Sequence, residues 1–291
     1  MNRTFLTILT KLALSWRALR KNRLATVGAY MVLTLVMIGI LAPWLAPHDP
    51  IEQNLGKPRR PPSLEYPMGT DEFGRCILSR ILYGSRISLT IGVTSIGMAM
   101  VVGVFLGLVA GYYGGLLDGF IMRIVDIMLA FPYFLLAIAI VILLGPGFFN
   151  IIITIAIYSV PTFTRVVRGL VLSQKQKEYI EAAKAFGENN SNIIFRYLLP
   201  NCIPSIIVYG TLRIGSAILV SSILGFLGLG ITPPTPEWGV MLSSGRAYFR
   251  AAPHIVFFPG FAIMVAVLGF NLIGDGLRDV FDPRLREEVI K

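Results

Sequence analysis

The sequence predicts an all-α membrane protein with six transmembrane helices, and three observations carry that prediction. The 291 residues are 55% apolar and only 14% charged, with a mean hydropathy of +0.71, whereas a soluble domain carries about 25% charged residues. Several stretches of about 18 or more residues hold no charge at all, as a membrane-spanning helix requires. The longest of them carries a glycine–proline break that divides it in two. A soluble enzyme, a disordered chain and a disulfide-stapled secreted domain are excluded.

The elements follow in order. Leu24–Ala46 gives 23 uncharged residues, about 34 Å of helix at about 1.5 Å per residue, which suits a hydrocarbon core of about 30 Å. It is too long for the apolar part of a signal peptide and reads as a retained anchor. The second span is Ile87–Tyr112. Ile127–Thr164 holds 38 uncharged residues, about 57 Å if unbroken. Gly145-Pro146-Gly147 splits it into a helical hairpin. Ile203–Leu224 and Ile255–Ile273 complete the six. The predicted organisation is a terminal segment 1–23, a first span 24–46, a loop 47–86 and a core 87–291 with a long polar loop at about 165–200. Phe73, Ile77, Ile81 and Leu82 in the 47–86 loop form one stripe of a short amphipathic helix, lying on lipid headgroups or receiving a partner protein.

Lysine and arginine exceed aspartate and glutamate by 26 to 16. Most of that excess is topological. Residues 1–23, the Tyr113–Asp126 loop, the Arg165–Arg196 region and the C-terminus together hold seventeen basic residues. The opposite side holds eight, and Arg213 lies within a span. The positive-inside bias places the richer side, with both termini, in the cytoplasm. Arg75, Arg80 and Arg86 run against that bias. Cys76 and Cys202 are too few for a disulfide framework or a thiolate cage, and His48 and His254 are too few for a histidine metal site, so no metal site is expected.

Within the spans, Gly103, Gly107 and Gly111 make one stripe that lets another backbone approach closely, either inside one bundle or at a sliding subunit interface. The fifth span is small and polar on part of its surface through Gly210, Gly215, Ser216, Ser221 and Ser222. Arg213 sits mid-span there, where a cation costs roughly 2.5–3.5 kcal/mol and must face protein or water. It is a pathway or gate residue, or a member of a buried pair. No carboxylate lies inside a predicted span, which counts against a proton relay. Asp118, Arg123 and Asp126 form a charged cluster in which Arg123 pairs with either acid, solvated or part of a gate. Phosphate-loop, dinucleotide, zinc-protease and nucleophile-elbow motifs are absent, so no catalytic residue is assigned and any chemical energy must come from another chain.

The most informative stretch is Glu178-Tyr179-Ile180-Glu181-Ala182-Ala183-Lys184-Ala185-Phe186-Gly187, ending at Leu198-Leu199-Pro200. Tyr179, Ala182, Ala183 and Phe186 share a face, and Gly187 suits a left-handed helix end. Ile193, Ile194, Tyr197 and Leu198 follow as a second apolar set. On these grounds alone the hairpin is an interfacial helix on lipid or a docking knob. Glu181, Ala182, Ala183, Gly187, Leu199 and Pro200, at this spacing, resemble the loop of permease subunits in bacterial ATP-binding-cassette importers, with Tyr197 where isoleucine is usual.

The likeness extends along the chain: Gly69-Thr70-Asp71-Glu72-Phe73-Gly74-Arg75, Ser79-Arg80, Tyr83-Gly84, Ala110-Gly111-Tyr112, Pro233-Pro234-Thr235-Pro236-Glu237-Trp238-Gly239, and Phe270-Asn271 through Asp282-Pro283-Arg284. These resemble the second, C-type permease of the dipeptide, oligopeptide and nickel importers. Cys76 departs from the aspartate often found there. The resemblance implies a type I importer permease fold and a coupling helix that docks on an ATPase. It also implies a homologous permease partner, two ATPase subunits that bind ATP and magnesium, and an external substrate-binding protein at a bacterial inner membrane. No cofactor is expected in this chain and no nucleic-acid partner. The implied activity is import of short peptides by alternating access. Nickel or its chelate is the alternative within the family; an ion-coupled carrier and a non-transporting anchor are the rivals outside it. The Pro233–Gly239 run is expected in a loop at a cavity mouth, and Leu277, Val280, Phe281 and Leu285 at a cytoplasmic interface.

Overall fold

The computed structural model describes residues 23–281. The segment 1–22, Asp282-Pro283-Arg284 and Leu285 lie outside the described residues. The described chain is all-helical apart from its loops. The long helices are α1 (Arg23–Leu45), α2 (Ile77–Tyr113), α3 (Gly115–Ala130), α4 (Tyr133–Leu144) and α5 (Phe148–Lys175), followed by the short α6 (Glu178–Ala185). A π-helical turn, Ile193–Leu198, leads into α7 (Leu199–Phe226), and α8 (Trp238–Gly245) and α9 (His254–Phe281) follow. Five helices are long and apolar enough to cross a bilayer, and α3 with α4 together have the length and composition of a sixth, bent at a break between them. The Gly145–Gly147 break stands where the sequence places it, between α4 and α5. Gly145 adopts φ 81° and donates its N–H to Val141 O at 2.9 Å, a left-handed helix end open to glycine at little steric cost.

Three boundaries differ from the sequence reading, each for a physical reason. The stripe at Ile77, Ile81 and Leu82 belongs to α2 itself, one helix of 37 residues, so the expected division at residue 86 falls inside it. At about 55 Å, α2 exceeds the bilayer, and its first turns project beyond it. Ile77 is fully buried and joins Trp238, Ile255 and Phe270 in an apolar cluster, which places this stripe against protein rather than headgroups. The Tyr113–Asp126 loop is helical, forming most of α3. The third span does not start straight at Ile127 either: α3 and α4 meet at 95°. Pro132 has no N–H to continue the ladder and forces Phe131 extended (φ −82°, ψ 139°).

The bundle holds together through close backbone approach. A Cβ placed on Gly107 would lie 2.7 Å from Val167 Cβ and 2.8 Å from Thr164 O; one on Gly111 would lie 2.8 Å from Val171 Cβ. One on Gly103 would strike Phe163 Cβ. All three glycines therefore face α5 of the same chain. Gly28 and Gly269 bring α1 against α9 in the same way. Lipid tails are as apolar as leucine, so contact of this kind, rather than hydrophobic transfer, drives helix association in a bilayer. The outward residues Leu33, Ile40, Val101, Phe105 and Leu143 are exposed, as lipid contact requires.

Two ends of the bundle are distinct. At the basic end, Leu108, Val167, Val171, Ile180, Ala183, Leu198 and Cys202 form one cluster. At the other end, residues 46–76 fold into a cap over the start of α2, the 227–237 loop and α8. The cap answers the charge conflict in the sequence. Arg75 Nε donates to Asp71 Oδ2 at 2.6 Å, and Arg80 Nε lies 3.5 Å from the same oxygen, all nearly fully buried. Arg80 also donates to Pro50 O at 2.9 Å and Pro234 O at 3.2 Å. Both guanidinium groups are compensated inside the cap and do not act as free positive charge.

Candidate functional site

Helix α6 and the turns after it form a hairpin standing on the basic end. Its attachment is specific. Ile180 and Ala183, one turn apart, are buried in the cluster beneath. Tyr112 Oη at the end of α2 donates to Asn190 Oδ1 at 2.6 Å, Lys175 Nζ donates to Tyr112 O at 2.6 Å, and Tyr179 Oη donates to Gln174 Oε1 at 2.7 Å. Gly187 takes φ +76°, which L-residues resist. Its N–H bonds to Lys184 O and that of Glu188 to Ala183 O, so the chain reverses in one step. Asn189 caps the next turn by accepting from Asn192 N at 2.7 Å.

The buried face differs from the expected one. Ala182 and Phe186 are exposed, Phe186 at 88%, and so is Glu181. Ile180, which the apolar periodicity passed over, is the anchor. The cause is the approach angle: the hairpin sits on its Ile180–Ala183 edge, which turns the Glu181–Ala182–Phe186 side outward. Leu199 is half-buried and Pro200 exposed at the start of α7, a position where proline costs no hydrogen bond. Thus the six sequence-singled residues divide: Ala183 fixes the hairpin, Gly187 turns it, Leu199 and Pro200 begin the next span, and Glu181 and Ala182 face outward.

Deeper in the bundle, Arg213 is half-buried on α7, and its Nε is buried without a hydrogen-bond partner among the described residues. Tyr158 and Tyr209 lie within electrostatic reach of it. Tyr209 stands edge-on to Phe163 at 5.1 Å, and Tyr158 lies 6.3 Å from the ring of Tyr133. A cleft of about 480 Å³ between α5, α7 and the end of α9, lined by Val166, Ser205, Tyr209, Leu212, Arg278 and Phe281, opens beside this group.

The charged cluster of α3 is paired otherwise than expected. Asp118 accepts two hydrogen bonds from Arg168, both 2.6 Å, and Asp126 pairs with Arg165. Arg123 pairs with neither acid, since the helix turns it away while α5 presents its own arginines. The Asp118–Arg168 fork is the stronger geometry, and together the two pairs clamp α3 to α5.

At the cap end the most unusual group is one that no sequence pattern marks. Glu237 is fully buried at the start of α8, where Oε2 accepts from Val240 N at 2.9 Å and Oε1 has no hydrogen-bond partner among the described residues. Burial holds its carboxyl up at about 7, against the opposing pull of the Gly239 and Val240 amides and Ser88. Beside it Trp238 is fully buried and donates Nε1–H to Ile81 O at 3.3 Å. Cys76 is free and buried, paired across an isolated bridge with Thr70.

Residues 103–287 match the model of the binding-protein-dependent transport system inner membrane component, and residues 10–62 match the N-terminal transmembrane domain of oligopeptide transport permease C. The chain belongs to this permease family. A dipeptide transport system permease protein of Alkalihalophilus pseudofirmus is 51% identical over 272 residues, covering 94% of this chain and 90% of the relative. A glutathione transport system permease protein of Pectobacterium atrosepticum is 45% identical (93% and 90%), and a di/tripeptide permease of Pseudomonas aeruginosa is 44% identical (93% and 91%). In structure, a chain from inward-facing conformations of the MetNI methionine ABC transporter matches with a TM-score of 0.57 at 19% identity, covering 70% of this chain and 97% of that one. The permease is therefore an all-α, multi-pass inner-membrane protein of the C type with the fold of ABC importer permeases.

Proposed function

We propose that this permease forms, with a homologous permease, the translocation pathway of an ATP-driven importer of short peptides. The termini and the hairpin end face the cytoplasm, and two separate ATPase subunits that hold ATP and magnesium drive alternating access. A substrate-binding protein delivers cargo to the cap end. The observation that carries the reading is the hairpin. It is locked to the bundle through Ile180, Ala183 and the Tyr112–Asn190 bond, while Phe186 and Glu181 stand free at its outer face. A knob rigid toward its own bundle and open toward a partner passes a displacement on, where a flexible loop would absorb it. The seventeen-to-eight basic asymmetry supports a cytoplasmic hairpin, and of the three arginines that run against it, Arg75 and Arg80 are paired inside the cap while Arg86 is exposed. The relatives named as dipeptide, di/tripeptide and glutathione permeases favour peptide over nickel.

Copurification tests the assignment. ATPase subunits should accompany the intact permease, and Gly187→Pro or Glu181→Lys should weaken that association. Reconstituted vesicles with the binding protein should take up peptide only with ATP inside the compartment that the hairpin faces. Copurification indifferent to both substitutions would remove the coupling role. Uptake without ATP would return the ion-coupled carrier.

A further inference from the structure

Arg213 is an uncompensated cation at mid-membrane. It lies 213 − 199 = 14 residues from one end of α7 and 226 − 213 = 13 from the other, about 20 Å from each. Tyr158 is ten residues into α5 from Phe148, and Tyr133 eleven residues from the Leu144 end of α4, about 15 and 17 Å along their helices. The three side chains thus share one depth on three different elements. Two arginines of α5 have acids: Arg168 holds Asp118 and Arg165 holds Asp126. Arg213 forms no ion pair among the described residues, and its Nε is orphaned. A charge at this depth costs roughly 2.5–3.5 kcal/mol, so an anion is called for there.

The surroundings are built for one. Tyr158 and Tyr209 bring hydroxyl donors to the field of the guanidinium, and Tyr209 and Arg213, four residues apart, share a face of α7. The bend at Pro132 opens α4 at the same level. Its amino end has no side-chain cap, so the first N–H groups and the positive end of the helix dipole lie free beside Tyr133, whose ring is tilted against that of Tyr158 at 6.3 Å. Half-helix amino ends at mid-membrane serve anionic groups in membrane carriers. The cleft of about 480 Å³ reaches Tyr209, so that member of the group borders open space.

We propose that Arg213, the hydroxyls of Tyr158 and Tyr209, and the amino end of α4 form a carboxylate-binding site at the centre of the membrane, whose ligand is the terminal carboxylate of the peptide in transit. The proposal rests on the peptide-importer reading above. It assigns the anion to a mobile ligand because Tyr133 is 62% exposed and the cleft is open, and because dipeptides and glutathione share a free carboxylate.

The test uses the complete transporter in vesicles with its binding protein. Uptake of labelled alanyl-alanine is compared with uptake of its C-terminal amide, each at a concentration that saturates the binding protein. The wild-type protein should favour the free acid. Arg213→Gln should lower the ratio of free-acid to amide uptake about tenfold, the scale of one charge-assisted hydrogen bond. Arg213→Lys should retain part of the preference, and Tyr158→Phe, which keeps the ring, should lower it severalfold.

Equal loss of both substrates in Arg213→Gln and Arg213→Lys would overturn the site, for that is the signature of a fixed pair with an acid of the neighbouring permease. An unchanged acid-to-amide ratio in Arg213→Gln would overturn it as well. If Arg213→Gln does not assemble, the ratio in Tyr158→Phe decides, and an unaltered ratio there rejects the site. Absence of ATP-dependent uptake of the free dipeptide by the wild-type transporter would instead overturn the importer reading, and the ligand with it.

Discussion

Replacing Glu237 by glutamine isolates the cost of a buried carboxyl. Glutamine keeps an oxygen to accept the Val240 N–H, now at 2.9 Å, and removes the charge. Glu237 is fully buried and its carboxyl titrates near 7 in the fold, against an ordinary value of 4.5. The folded protein therefore binds more protons than the unfolded chain between those values, and stability falls as pH rises. The contribution is fully present below about pH 4.5 and lost as pH passes about 7. A shift of this size corresponds to roughly 3 kcal/mol, which for a chain of this length is roughly a 5 °C change in midpoint.

The assay is thermal unfolding of the detergent-purified permease across pH 4.0–8.5, with a tryptophan-fluorescence readout. Wild type should lose stability relative to Glu237→Gln as pH rises, and the two should converge at the acid end. Parallel pH curves would refute the reasoning, since they would mean that the carboxyl finds a compensating partner. A glutamine variant less stable than wild type at pH 8 would refute it as well.

Gly107→Val should destabilise the bundle by about 1–3 kcal/mol through overpacking, because Val167 Cβ and Thr164 O already stand at 2.7 and 2.8 Å from the position of an added carbon. Gly119→Ala, on α3 with nothing within 4 Å, should stabilise by about 0.5–1 kcal/mol, and the pair of melting curves checks both. Asp71→Asn should cost about 3–5 kcal/mol, because it leaves Arg80 buried without its carboxylate and Arg75 with Glu72 alone, at 3.2 Å; a matching loss of cap protection in hydrogen exchange would confirm the site of damage. Phe186→Asp should leave the melting temperature within about 1 °C, an exposed change being worth under about 0.5 kcal/mol. It should nevertheless reduce ATPase copurification, since its side chain is 88% exposed.

The spans were legible because bilayer thickness and uncharged length measure the same thing, and the Gly145–Gly147 break because glycine and proline together admit no helix. Pro132 was not legible. Pro161, Pro204 and Pro259 all sit inside unbroken helices, since membrane bundles satisfy the freed carbonyls in other ways, so a lone proline does not announce a bend. The hairpin was legible as a motif, but its buried edge was not: Ile180 and Phe186 are equally apolar, and only the docking angle on α2, α5 and α7 separates them. The basic cap residues looked like a breach of the charge rule because their partner, Asp71, also lies in the loop and serves two arginines at once. Glu237 stood in a quoted motif, yet nothing in the letters distinguishes a surface glutamate from one sealed beneath Trp238.

Helix α2 begins under the cap, where Arg80 grips Pro50 and Pro234, and ends at Tyr112, whose hydroxyl holds the hairpin through Asn190. One uninterrupted rod of 37 residues, containing no proline, thus ties the cap to the hairpin. Leverage applied at either tip arrives at the other along a single backbone ladder, with no loop between to absorb it.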